Sequence, residues 1–132
     1  MKEPNIFKNI LTEINKIKKN LKSVVTDEMQ LKRLNGFFDD ISRDVNRTFH
    51  NERFLKGDLE EELKRVLEAL CYIKSEIGYC QGMNFVAGAL ICLTDSEEKA
   101  FWIFLTFLNK FEMVSLYTKV FFITIRTCQI TL

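Results

Sequence analysis

Gly78-Tyr79-Cys80-Gln81-Gly82-Met83-Asn84-Phe85-Val86-Ala87-Gly88 is the stretch on which the reading of this chain turns. It joins a long amphipathic segment to one with almost no polar residues. Gly78 reads as the terminator of the first segment. The second, Gly82 to Leu93, is apolar nearly all round, which is the pattern of a central helix packed on several sides. Its small residues Ala87, Gly88 and Ala89 allow close approach. One amide side chain, Gln81, stands between two glycines at the entrance to that helix. A polar side chain in such a place points to a site.

The segment upstream supports a helical reading. Asp58 is a natural N-cap, Glu61 follows in capping-box spacing, and glutamates crowd the positive end of the dipole. Leu59, Leu63, Val66, Leu67, Leu70 and Ile73 form its apolar stripe. Thr48 to Gly57 reads as a loop. Before it, Phe37 to Asn46 reads as a short helix with Phe38, Ile41 and Val45 on one face. Asn35-Gly36 is a good turn pair and is expected to end a preceding helix that starts near Thr26 or Asp27. Pro4 to Val25 is expected to be an amphipathic helix, with Ile6, Phe7, Ile10, Leu11, Ile14, Ile17, Leu21 and Val24 at helical spacing. Its lysines read as a solvated face in preference to a membrane-surface patch.

Downstream, Asp95 is expected to cap another helix, with Glu98 three residues on. Ala100, Phe101, Phe104, Phe107 and Leu108 carry its inner face. Trp102 reads as lying at an edge of it or in a partner groove. From Val120 the residues are β-branched and aromatic without helical period, which reads as a short strand or as a tail foreign to the preceding fold.

Composition limits what the chain can do. With 132 residues it is one small domain by length. One Pro and five Gly leave few sharp turns and favour long helices. A net charge of +1 provides no field for nucleic acid. The cysteines, Cys71, Cys80, Cys92 and Cys128, have no C-x-x-C spacing and the single histidine is His50, which argues against zinc. Three of the four sit in apolar helical contexts and read as buried thiols. The longest apolar run, Met83 to Leu93, is too short to span a bilayer. No phosphate-binding G-x-x-x-x-G-K-[ST] loop and no G-x-S-x-G elbow is present, so the chain should not hold a nucleotide or act as a serine hydrolase alone. What remains is Asp44, Arg47 and Gln81. Asp44 and Arg47 are three apart and share a helix face. By spacing alone that is an ordinary surface ion pair, and nothing in the spacing brings Arg47 to Gln81.

The residues do, however, resemble a family. Ile41, Asp44 and Arg47 match the I-x-x-D-x-x-R motif of the TBC domain, the all-helical domain of Rab GTPase-activating proteins. Tyr79, Cys80 and Gln81 match its Y-x-Q motif, inside the longer Gly78-to-Asn84 signature. Glu97-Glu98-Lys99-Ala100-Phe101-Trp102 resembles the family's next helix. The resemblance covers roughly 37–119 and implies an all-α fold, the N-terminal half of a TBC-like domain. Residues 1–36 would form an N-terminal helical region and 120–132 a divergent tail. It implies that Arg47 is an arginine finger and Gln81 a glutamine finger, both supplied in trans to a GTP-bound Rab-type small GTPase. Asp44 would hold Arg47, Tyr79 and Asn84 would buttress the Gln81 loop, and Ile41 and Gly82 complete the motif positions. Gly82 is also expected to keep the backbone beside Gln81 uncrowded. No cofactor is expected on this chain, since GTP and magnesium would be carried by the GTPase. The location implied is cytoplasmic, peripheral to endomembranes through that partner.

The chain departs from the family in lacking an early R-x-x-W motif, for no Trp precedes Trp102. Family domains also continue with further helices where Val120 to Leu132 stands. The expectation is a truncated product, and the competing reading is that it is catalytically inactive, acting only as a binding module or without function. Phe101, Phe104, Phe107 and Phe111 would then be left exposed without a covering half.

Overall fold

The structure is a computed structural model, and it describes residues 5–23, 25–48 and 58–110. Among these the chain forms five helices and no strand, as expected of an all-α domain: α1 Ile6–Lys18, α2 Glu28–Thr48, α3 Asp58–Ile73, α4 Met83–Thr94 and α5 Glu97–Lys110. The expected strand or tail from Val120 and the expected loop from residue 49 to Gly57 lie outside the described residues, as does the side chain of Asp58 with its expected cap.

The centre of the fold is α3. It packs against all four other helices. Leu63, Val66, Leu67, Ala69, Leu70 and Cys71 have lost all contact with solvent. Each large apolar side chain so buried contributes about 1.5–3 kcal/mol. The sequence had pointed to Gly82–Leu93 instead. That segment does form α4, but Phe85, Val86 and Leu93 are exposed along it. An all-round apolar helix is compatible with several covered faces but does not require them, and here one face is open. Ile73, expected on the α3 stripe, is also exposed.

The Asn35-Gly36 turn does not form. α2 runs unbroken for 21 residues. Glycine inside a helix costs roughly 0.5–1 kcal/mol, but Leu34, Phe38, Ile41 and Val45 continue one stripe in phase across it, and all four are buried. Their burial outweighs the glycine. At the start of α2 the Asp27 carboxylate accepts the Met29 N–H at 2.9 Å, an ordinary N-cap.

α1 is shorter than its apolar spacing suggests. Asn20 adopts φ 57°. The Leu21 N–H bonds back to the Lys16 carbonyl and the Asn20 N–H to that of Ile17, which is a Schellman ending with Asn in place of Gly. Leu21, expected on the stripe, is therefore exposed.

Asp95 does not cap α5. It closes α4 in the left-handed region, φ 53°, which Asp tolerates better than most residues and which an N-cap, normally extended, does not use. Ser96 is the cap, its Oγ accepting the Lys99 N–H at 3.2 Å.

Phe101 and Phe104, expected to be stranded, are buried within this chain. The ring of Phe7 on α1 lies 5.1 Å from that of Phe101, so α1 provides cover that the sequence had assigned to a missing half. Phe107 remains partly exposed, and Phe111 lies outside the described residues. Trp102 is half-buried with its ring edge against Phe101 at 5.3 Å, an edge position. Cys71 and Cys80 are buried, whereas Cys92 is exposed on the open face of α4, and Cys128 is not described.

Candidate functional site

The last turn of α2 carries Asp44, Arg47 and Thr48. α2 packs on α3 and α4, so its end lies beside the chain segment that enters α4. That segment is shaped by two glycines. Gly78 has φ 66°, and a Cβ there would lie 2.2 Å from the Phe37 ring. Any other residue would be strained in torsion and would have to displace the Phe37 ring. Gly82 has φ 106° but nothing within 4 Å of a built Cβ. The expected crowding at Gly82 is therefore absent. What excludes a side chain there is the torsion alone, and that torsion turns the chain from Gln81 into α4.

Asp44 organises the site. One carboxylate oxygen accepts from Arg47 Nη2 at 2.8 Å and the other from the Tyr79 hydroxyl at 2.6 Å. Arg47 Nε makes a longer bond, 3.4 Å, to the Arg43 carbonyl. The carboxylate is only 14% exposed while the guanidinium is 66% exposed. A guanidinium has five N–H donors, so most of its donor capacity still faces outward among the described residues. An exposed ion pair of this kind adds little stability, about 0–1 kcal/mol. Its effect is to aim the arginine.

Tyr79 itself is buried. Burial first, and then the hydrogen bond and charge of Asp44, push its phenol far up, so it stays a protonated donor at neutral pH. Burial also pushes the Cys80 thiol up, which removes it as a nucleophile at neutral pH.

Gln81 is exposed, and it lines an open cleft of about 260 Å³ with Asp40, Arg43, Asp44, Arg47 and Tyr79. The structure thus brings Arg47 and Gln81 to one cleft, which spacing could not do. Ile41 is not in it. It is a core residue with no exposure, anchoring the helix that carries Asp44 and Arg47.

Asn84 lies beneath the cleft, almost fully buried. Its Oδ1 accepts the Gly82 N–H at 3.0 Å and its Nδ2 donates to Thr48 Oγ1 at 2.7 Å. The Thr48 hydroxyl in turn donates to the Asp44 carbonyl at 2.5 Å. The sequence reading assigned no role to Thr48, Asp40 or Arg43. The available signal was the repeat of Asp40 with Arg43 and Asp44 with Arg47 along one helix, and both pairs form. Among the described residues no cluster of His, Cys, Asp and Glu could hold a metal ion. Nor is any described helix long and apolar enough to cross a membrane.

Comparison with known proteins agrees with the motifs. Residues 4–130 match the family model of the Rab-GTPase-TBC domain. Growth hormone-regulated TBC protein 1 of Xenopus laevis is 48% identical over 69 residues, 49% of this chain and 20% of that protein. GTPase-activating protein GYP3 of Saccharomyces cerevisiae is 33% identical over 118 residues, 83% of this chain and 17% of the relative. GTPase-activating protein MSB4 of the same yeast is 40% identical over 79 residues, 54% of this chain and 16% of the relative. The chain therefore spans about a fifth or less of the length of these relatives. No solved structure matches it.

Proposed function

The chain belongs to the Rab-GTPase-TBC domain family, and from that premise we propose that it stimulates GTP hydrolysis by a GTP-bound Rab-type small GTPase. Two of the similar proteins are themselves called GTPase-activating proteins. The observation that carries the reading is the cleft. It holds an outward-facing arginine aimed by a half-buried carboxylate, and an exposed glutamine beside it.

A small GTPase is slow because its attacking water is poorly placed and the charge developing on the transferring phosphoryl group is poorly compensated. Arg47 provides the compensation. Its planar fork can bridge two phosphate oxygens, which an ammonium cannot. Such a finger is worth about 10³–10⁵ in rate, or roughly 4–7 kcal/mol of barrier. Gln81 orients the water, since its amide both accepts and donates. Asp44, itself held by Tyr79, fixes one edge of the Arg47 guanidinium and leaves the rest facing outward. GTP and magnesium come with the GTPase, which also brings the chain to the cytoplasmic surface of endomembranes.

The test is single-turnover GTP hydrolysis on a panel of GTP-loaded Rab-type GTPases, with the full chain and its Arg47→Ala variant. Stimulation that disappears with Arg47 supports the proposal. A soluble, helical chain that stimulates none of them overturns it and leaves a binding module.

A further inference from the structure

Thr48 joins the two halves of the cleft, and the direction of its hydrogen bonds shows how. The Gly82 N–H can only donate, so it fixes Oδ1 of Asn84 on its side and leaves Nδ2 facing Thr48. An amide nitrogen can only donate, so the Thr48 oxygen must accept. The hydroxyl proton is then available for one partner, the Asp44 carbonyl. Donors and acceptors run one way from the turn after Gln81 to the backbone of Asp44, whose side chain aims Arg47. The middle of this relay has no ready substitute: Asn84 is nearly fully buried, and a buried amide that loses its partner is not rescued by water.

We infer that Thr48 is a positioning residue that sets the Gln81 turn relative to Arg47, acting through Asn84 and touching no nucleotide itself. The inference rests on the proposed GTPase activation for its consequence in rate, but the relay is a property of this chain alone. It is the hydroxyl that matters and not the methyl. Thr48→Ser therefore keeps the link and Thr48→Val, of nearly equal size, cuts it. Asn84→Asp reverses one bond instead of cutting the link: a carboxylate accepts both the Gly82 N–H and the Thr48 hydroxyl proton, and so takes that proton away from the Asp44 carbonyl.

The experiment compares the full chain with Thr48→Val and Thr48→Ser in two measurements, after circular dichroism shows equal helix content. The first is amide hydrogen exchange at Gly82 in the chain by itself. Exchange about tenfold faster in Thr48→Val and unchanged in Thr48→Ser is expected, the scale of one lost buried hydrogen bond. The second is stimulated hydrolysis on a responsive GTPase. The maximal rate is expected to fall about tenfold or more in Thr48→Val, with the half-saturating concentration little changed and Thr48→Ser close to the parent, since misplacing a reacting group costs rate ahead of binding. Gly82 exchange that is the same in all three chains, or Thr48→Ser behaving like Thr48→Val, overturns the inference. A parent chain that stimulates no GTPase overturns the function, while the exchange measurement still decides the relay.

Discussion

Two arginines of this molecule pair with carboxylates and are used in opposite ways. Arg65 on α3 reaches across to Glu97 at the start of α5, and both Nε and Nη2 bond the carboxylate, at 2.8 to 3.1 Å. It is 40% exposed and its partner 25%. The hydrogen bond to Glu97, slightly offset by burial, holds its pKa above the ordinary arginine value. One edge of the fork, Nε with Nη2, is taken up by that carboxylate, and the pair ties two helices together. Arg47 makes one short bond to a carboxylate on its own helix, and that carboxylate is held from behind by Tyr79. Its fork is largely unfilled and points outward. The lesson is that an ion pair reads as architecture when it joins two helices by a bidentate grip, and as a tool when it lies on one helix and the carboxylate is the better-held partner.

A conservative change at the more exposed arginine gives the largest effect. Arg47→Lys should remove most of the stimulated hydrolysis, about 10³-fold, with urea midpoints within experimental scatter of the parent. Stimulation that survives Arg47→Lys would place the finger elsewhere. Arg65→Ala should do the reverse. Losing a bidentate but partly solvated pair costs about 1 kcal/mol, read as a lower urea midpoint, while the rate per folded molecule stays at the parent value. A rate loss there without a stability loss would collapse the distinction between the two arginines.

The smallest effect concerns a third pair, Lys18 with Glu68, which ties α1 to α3. The ammonium lies 2.5 Å from Oε2 but off the line a hydrogen bond needs, and Glu68 is buried. Lys18 also sits 5.4 Å from the centre of the Phe38 ring. Burial pushes the Glu68 carboxyl up, more than Lys18 pulls it down. A carboxyl whose folded value is raised contributes stability below its unfolded value, and loses that contribution as pH rises through the folded one. Glu68→Gln carries no such slope. Relative to the parent it should therefore gain stability as pH rises from mildly acidic to neutral, measured as the difference in urea midpoints across that range. A difference that moves the other way would mean that Lys18 dominates the pair.

Much of the molecule was legible in its residues because helices announce themselves by period and by caps. The α3 stripe from Leu63 to Leu70 was read correctly, and the long signature after Gly78 marked the entrance to α4. Errors occurred where a local signal competed with burial. Asn35-Gly36 is a turn in isolation, but Leu34 and Phe38 on either side are held by the same core, so the helix passes through. Asp95 looked like a cap, yet the tight connection between α4 and α5 needed a left-handed residue at that position and left the capping to Ser96. Composition also misplaced the centre of the fold, since an all-round apolar helix does not specify how many of its faces are covered.

The sequence by itself determined the all-α class, the phase of the central apolar stripes of α1, α2 and α3, the break in the chain at Gly78 before α4, and the family to which the motifs belong. Those are properties of near neighbours, set by backbone torsion and helical period. Only the tertiary structure decided that Arg47 and Gln81 line one cleft, that Asp44 is gripped by Tyr79, and that Thr48 meets Asn84. These are contacts between groups remote in the chain. They depend on how α2 and α4 dock on α3, and the pattern of any one helix records which face is buried without recording what it is buried against.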